Sequence, residues 1–493
     1  MNNKKIIENM ILVINTRHNR ILIALLLLSL FLIFFRLGKS DLGYFRQNRY
    51  VGSLPQDLTW VTVRNPFFKS PMHYHYQNYH EYRYSTVVQG ILETNNWFKL
   101  TTHDPAGIMN YYQKGPIYFW LAALTSKLVG FSKLSVRLPA AIFGFLCVIA
   151  VYLLADEIFD KKTALWSVFI LITTFQFLHV DGVRAMAIDS TFAFFIIAAV
   201  YGICKQEKNV LLFYWASALI GLASLTRSVL MVIPCVVSFF MLDFFIVFRS
   251  MPLKDILKKW VTGLIIILML FLPWVTTQYL MDRKGFIGAI KEYQIKEEFR
   301  SKIKLHIKGL AEKFQYNLFM DNKPTDLTFY PWTIFKGFFP WSMLAPLGML
   351  YNFHIIKQSK NRKCAIPFLV VILILAFLYL KVQKWARYMI DIYPFLAIIV
   401  GKLASDFYQL KEDRLLKWGI LGIFFLFWPV IVPYNINCTW VNIAFYLLIF
   451  SSAAIYVLLP VKEMFIRRLM AGVILVHFGI IAFSNILQGY FIS

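Results

Sequence analysis

Hydrophobic positions along this chain fall in long unbroken runs. They do not mark one face of a helix, nor do they alternate as in a half-buried strand. The first run, Ile21 to Phe35, holds no charge. About 20 such residues in a helix cross the hydrocarbon core of a bilayer. On that ruler thirteen helical spans are expected, near residues 20–36, 136–156, 163–180, 189–204, 210–225, 228–248, 259–278, 334–352, 364–381, 387–403, 417–434, 440–460 and 468–489. Lys4, Lys5, Arg17 and Arg20 precede the first run, an outline shared with a cleaved signal peptide. The run continues as Arg36-Leu37-Gly38-Lys39, with no small-residue cleavage site, so a retained first span is expected.

Sidedness checks this division. With the N-terminus in the cytoplasm, every inner loop is basic, from Lys161-Lys162 through Lys205, Arg249, Lys363 and Lys411 to Arg467-Arg468. Two long loops then lie outside, 37–135 and 279–333. Within the first, Ile117 to Val129 is apolar but short and interrupted by Lys127, which predicts a helix lying along the membrane surface. The fold class expected is an all-α integral membrane protein, one transmembrane domain over 1–493. No internal repeat, GxGxxG or P-loop pattern occurs.

Composition agrees. Hydrophobic residues make up 59% and charged residues 16% of the 493, against about 45–50% and about 25% in soluble proteins. The net charge of +25 sits mostly in inner loops, and no basic helix or aromatic-basic groove suggests nucleic acid. Part of the excess lies outside, against the orientation rule, and needs another cause. The five cysteines form no CxxC pair, so neither a disulfide framework nor a zinc site is expected.

Ionisable residues at a membrane boundary are costly and are functional candidates. Four clusters fall on the outer side. His80-Glu81-Tyr82-Arg83-Tyr84 sets a carboxylate beside an imidazole and a guanidinium, suited to a general base and a phosphate ligand, or else an ordinary solvated loop. Lys114-Gly115-Pro116 holds a lysine at the interface, for a lipid phosphate or simply snorkelling. Arg184 and Asp189 share a short turn, where Asp189 serves as a helix N-cap or as a catalytic carboxylate. Arg227, Lys384, Arg387 and Tyr388 flank the outer ends of separate spans and form a cationic rim. His73, His75 and His80 offer imidazoles without a diagnostic metal spacing.

These residues, in this order, resemble the polyprenyl-phosphate-dependent glycosyltransferases of the GT-C fold, with the aminoarabinose transferases of lipid A and the protein O-mannosyltransferases nearest. His80 to Tyr84 is similar to the family's Asp-Glu-x-x-Tyr motif, and Lys114 to Trp120 to its Lys-Pro-Pro-x-x-Tyr-Trp stretch. Ser135-Val136-Arg137-Leu138-Pro139 resembles its Ala-Arg-Leu-Pro element, and Arg184 to Asp189 its second acidic turn. Phe329 to Trp332, Gly337 to Trp341 and Lys384 to Tyr388 match its later aromatic and Lys-x-x-Arg-Tyr segments. His80 stands where the family usually has aspartate, its favoured base, and Gln113 stands where an acidic residue often precedes the motif lysine.

The resemblance implies an inverting transferase that moves a hexosyl or pentosyl group from a polyprenyl-phosphate donor to a lipid, glycan or protein acceptor. It implies the outer face of a bacterial plasma membrane, with membrane lipids as surroundings and no nucleic acid. Glu81, Asp189 or His80 would be the base. Arg83, Tyr84, Lys114, Arg137, Arg184, Arg227, Lys384, Arg387 and Tyr388 would bind substrate. No cofactor is implied, a divalent metal being the minor alternative. A flippase for lipid-linked sugars is the other class that needs a cationic, lipid-facing site, although the paired repeats and broken helices of transporters are not seen.

Overall fold

Inside a bilayer the main-chain N–H and C=O groups find no water, so charge-free runs fold as helices that satisfy them internally. The computed structural model describes residues 17–38, 60–63, 72–75, 77–104, 107–291 and 329–409, apart from a few single positions, and scattered residues of 468–486. After α1 (Arg17–Phe34), the first loop carries an antiparallel hairpin, β1 (Trp60–Val63) with β2 (Met72–His75), Trp60 opposite His75. Helix α2 (Gln77–Thr94) follows, then a second hairpin, β3 (Thr101–Asp104) with β4 (Gly107–Asn110), and α3 (Ile117–Val129). The described bundle continues with α4 (Lys133–Ile158), α5 (Lys161–Ile172), α6 (Phe175–Leu178), α7 (Ile188–Lys205), α8 (Leu211–Ser224), α9 (Val232–Val247), α10 (Leu253–Met281) and α11 (Arg283–Ala289). Beyond residue 328 come α12 (Phe329–Gly337), α13 (Ala345–Gln358), α14 (Ile366–Leu380) and α15 (Tyr393–Tyr408).

The protein is a multi-pass membrane protein, all-α apart from the two small hairpins, which the hydropathy pattern does not announce. Six described helices are long and apolar enough to cross a membrane. The expected spans from 20–36 through 387–403 each coincide with a helix or a pair of short helices. The spans expected at 417–434 and 440–460, and most of the second long loop, lie outside the described residues. Two expected spans are interrupted. Residues 334–352 break at Pro340, which lacks an amide hydrogen, into α12, a 3-10 turn (Trp341–Met343) and α13. Residues 387–403 begin as a 3-10 turn (Ala386–Asp391) before α15. Helix α3 has the predicted bounds, with Tyr118, Phe119 and Ala122 buried and Leu124, Leu128 and Val129 exposed.

Helix α4 packs along α7, and α15 along α5. Small residues permit this close approach, since helices in lipid associate by packing rather than by expelling water. A Cβ on Gly401 would lie 2.4 Å from Ser167 Oγ and 2.8 Å from its main-chain nitrogen. The loops expected inside meet one another: Lys363 reaches Glu207 at 2.8 Å and Glu157 at 3.4 Å. Lys259 pairs with Asp243 at 2.9 Å and donates to Gln206. The candidate residues of the outer loops gather at the other ends of these helices. Gly401→Leu is expected to force α15 off α5 and to destabilise the protein by about 1–3 kcal/mol. A lower midpoint of thermal unfolding in detergent would register it, with Gly401→Ala less affected.

Candidate functional site

Helix α2 buries Tyr84, Val87, Val88 and Ile91, an i, i+3, i+4, i+7 face. Glu81 precedes Tyr84 by three positions and shares that face, so its carboxylate enters the interior at 4% exposure. A buried charge persists only with a partner. Arg137, fully buried on α4, supplies it in a two-pronged contact: Nε lies 2.5 Å from Glu81 Oε1 and Nη2 2.8 Å from Oε2. Arg137 Nη1 also donates to the Leu37 carbonyl, and the Met186 amide donates to Glu81 Oε1 at 2.9 Å. Arg184 Nη2 donates to the Phe35 carbonyl at 2.9 Å. One buried pair therefore ties together α2, α4, the chain just after α1 and the turn between α6 and α7. Both oxygens of Glu81 are engaged, and Arg137 faces protein, which suits positioning rather than contact with a substrate.

Asp189 is not the cap of α7. Ala187 holds that place, and Asp189 is the second residue of the helix, within its first turn. Its Oδ1 accepts from Arg227 Nη2 at 2.5 Å, and the same nitrogen lies 2.7 Å from Oδ2 of Asp391. Arg227 thus joins two buried carboxylates while its guanidinium stacks over Phe192 at 4.1 Å. The Gly115 amide donates to the Arg227 carbonyl at 2.9 Å, which stitches the Lys114 turn to the loop after α8. Only glycine fits there, because a Cβ would come within 1.9 Å of the Leu225 carbonyl oxygen.

Beside this network stands a second set of cations framed by rings. Arg387 lies over Trp385 and Tyr388, and Lys384 over Tyr330 and Tyr379. Lys381 lies 4.6 Å from the Tyr388 ring centroid. Arg387 is buried, yet among the described residues no carboxylate stands within ion-pair distance of it. Arg83 sits over the Tyr111 ring, and its Nε is buried without a hydrogen-bond partner. Tyr84 is within electrostatic reach of Arg387.

The structure thus gathers Glu81, Arg83, Tyr84, Lys114, Arg137, Arg184, Asp189, Arg227, Lys384, Arg387 and Tyr388 at one end of the bundle. His80 precedes Glu81 on α2; its side chain, like those of His73 and His75, lies outside the described residues. Among the described residues no cluster of His, Cys, Asp or Glu could hold a metal ion. Three neighbours escape the sequence reading: Asp181, Lys381 and Asp391. Asp391 lies inside an expected span, where a carboxylate is itself a signal. Asp181, in the turn before α7, is half-buried. Burial, with help from the Asp189 and Glu81 carboxylates, pushes its carboxyl up to about 7, against the opposing pull of Arg387.

Residues 113–276, a third of the chain, match a family described as dolichyl-phosphate-mannose-protein mannosyltransferase. ArnT from Cupriavidus metallidurans, solved with undecaprenyl phosphate bound, superposes with a TM-score of 0.58 at 15% identity, covering 95% of this chain and 76% of that one. Its apo structure gives 0.55 at 15% identity, covering 83% and 71%. An uncharacterized protein of Aquifex aeolicus (strain VF5) is 28% identical over 327 residues, 65% of this chain, and the match spans only 57% of that relative's length. The chain has the GT-C fold, the fold of membrane glycosyltransferases, as its motifs lead one to expect.

Arg137→Ala would strand the Glu81 charge in the interior. The expected cost is about 3–5 kcal/mol, read as a lower unfolding midpoint. Adding Glu81→Leu should restore much of it, since removing both charges removes the uncompensated one.

Proposed function

We propose that this chain is a membrane glycosyltransferase that moves a hexosyl or pentosyl group from a polyprenyl phosphate to a hydroxyl of a lipid, glycan or protein, with inversion; the family match and the fold support that reading. Its place would be the outer face of a bacterial plasma membrane. One observation carries the reading. Arg387 is a buried guanidinium framed by aromatic rings, with no carboxylate within ion-pair distance among the described residues, beside Lys384 and Lys381. Burying such a charge unpaired is costly, and a phosphate group would relieve it. Arginine offers a planar fork that fits phosphate oxygens two at a time. The aromatic surroundings suit the first isoprene units of a lipid tail.

In the reaction, the acceptor oxygen attacks the anomeric carbon while the bond from that carbon to the phosphate oxygen breaks. Both electrons of that bond leave with the phosphate. Arg387 and Lys384, with Arg83 and Lys114 nearby, would stabilise the charge that develops there; fixed donors of this kind are commonly the largest catalytic contribution. The acceptor's proton must pass to a base. Arg227 has a different part, holding Asp189 and Asp391 in place. That a polyprenyl phosphate is the carrier is supported by the undecaprenyl phosphate in the Cupriavidus structure of the same fold.

Membranes containing the full chain should transfer label from undecaprenyl-phosphate sugars, hexosyl and pentosyl donors being tried in turn. Arg387→Ala should lower that transfer by about 100-fold or more. Movement of the intact donor across liposomes without any transfer would replace this reading with a flippase.

A further inference from the structure

Four carboxylates stand at the site, and three are occupied. Glu81 has both oxygens engaged by Arg137 and Met186, and Asp189 and Asp391 each give one oxygen to Arg227, the other oxygen of Asp391 being shut in the interior without a hydrogen-bond partner. All three are at most 4% exposed. Asp181 is the fourth. It is half-buried, and among the described residues no hydrogen bond or ion pair holds it. Its backbone has φ 49°, the left-handed region that aspartate and asparagine tolerate and most residues avoid. The turn around it is tightly built. A Cβ on Gly182 would lie 2.2 Å from the Phe177 carbonyl, the Val183 amide donates to that carbonyl at 2.8 Å, and Val183 packs into the space left by Gly144. An uncommon backbone conformation fixed this firmly tends to mark working positions.

We propose that Asp181 is the general base of the transfer, taking the proton of the acceptor hydroxyl as its oxygen bonds to the anomeric carbon. The polyprenyl phosphate departs with the electrons of the broken bond, and Asp181 later gives the proton to water. This assignment rests on the glycosyltransferase reading above, and it fills the role for which the resemblance offered an aspartate where His80 stands. The charged and titratable groups facing Asp181 are the Arg387 cation, the Asp189 and Glu81 carboxylates and the Tyr84 hydroxyl. Burial with the two like charges holds the Asp181 carboxyl at about 7, close to the value at which a base works best near neutrality. The base is the ionised form, so kcat/KM should rise with pH through about 7 and level off above it. A donor phosphate on Arg387 would offset a neighbouring charge that weakens Asp181 as a base.

The test uses the full chain in nanodiscs with labelled undecaprenyl-phosphate sugars and a membrane extract as acceptor. Asp181→Asn suits the same left-handed backbone, and undecaprenyl phosphate binding reports whether its site is intact. Expected are unchanged undecaprenyl phosphate binding, a fall in turnover of about 100-fold or more and loss of the acidic limb. Asp181→Glu should keep part of the turnover and an acidic limb. Turnover of Asp181→Asn within about three-fold of the wild type, with the same limb, would overturn the assignment, as would loss of undecaprenyl phosphate binding. A wild type that releases no sugar from any donor would instead sink the glycosyltransferase reading, and this inference with it.

Discussion

The buried contact between Glu81 and Arg137 is the interaction on which the outer end of the molecule depends. Alone, either charge would be too costly in the interior, and together they fix a geometry. The fork of Arg137 reaches a carboxylate from the first loop and a carbonyl after α1, while the carboxylate reaches the Met186 amide. Four segments far apart in sequence thus meet at one pair of side chains. A hydrophobic pair of similar volume could fill the space, but it could not orient the turn that carries Asp181.

A division of labour among the arginines follows. Arg137 and Arg184 serve the main chain and Glu81, Arg227 serves two carboxylates, and Arg387 is left with aromatic rings. A list of outward cations treats these as equals, although among the described residues Arg387 is framed by rings and has no carboxylate within ion-pair distance.

Much of the fold was legible. Helices α4, α7 and α10 appear where long apolar runs stand, because in a bilayer hydropathy and helix formation are the same constraint. Pro340 and the turn at Ala386–Asp391 were missed as interruptions because apolar content continues across them. The site was legible as a set of residue types and not as roles. Glu81 and Asp189 looked like free carboxylates, since nothing local reveals that Arg137 lies 56 positions away and Arg227 38. Asp181 escapes the sequence reading for the opposite reason: among the described residues it has no partner, which becomes visible only once the other carboxylates are paired.

The ring-framed cations also bear on how a catalytic cycle would end. A sugar-bearing phosphate is a diester with a single negative charge, whereas the bare lipid phosphate left after transfer carries nearly two. Arg387, Lys384 and Lys381, framed by Tyr388, Tyr379 and Trp385, would therefore grip the spent carrier harder than the loaded one. Under the proposed chemistry, the feature that helps break the bond also delays the departure of what remains. The pace of the enzyme would then be set by how quickly an emptied lipid slips back into the membrane.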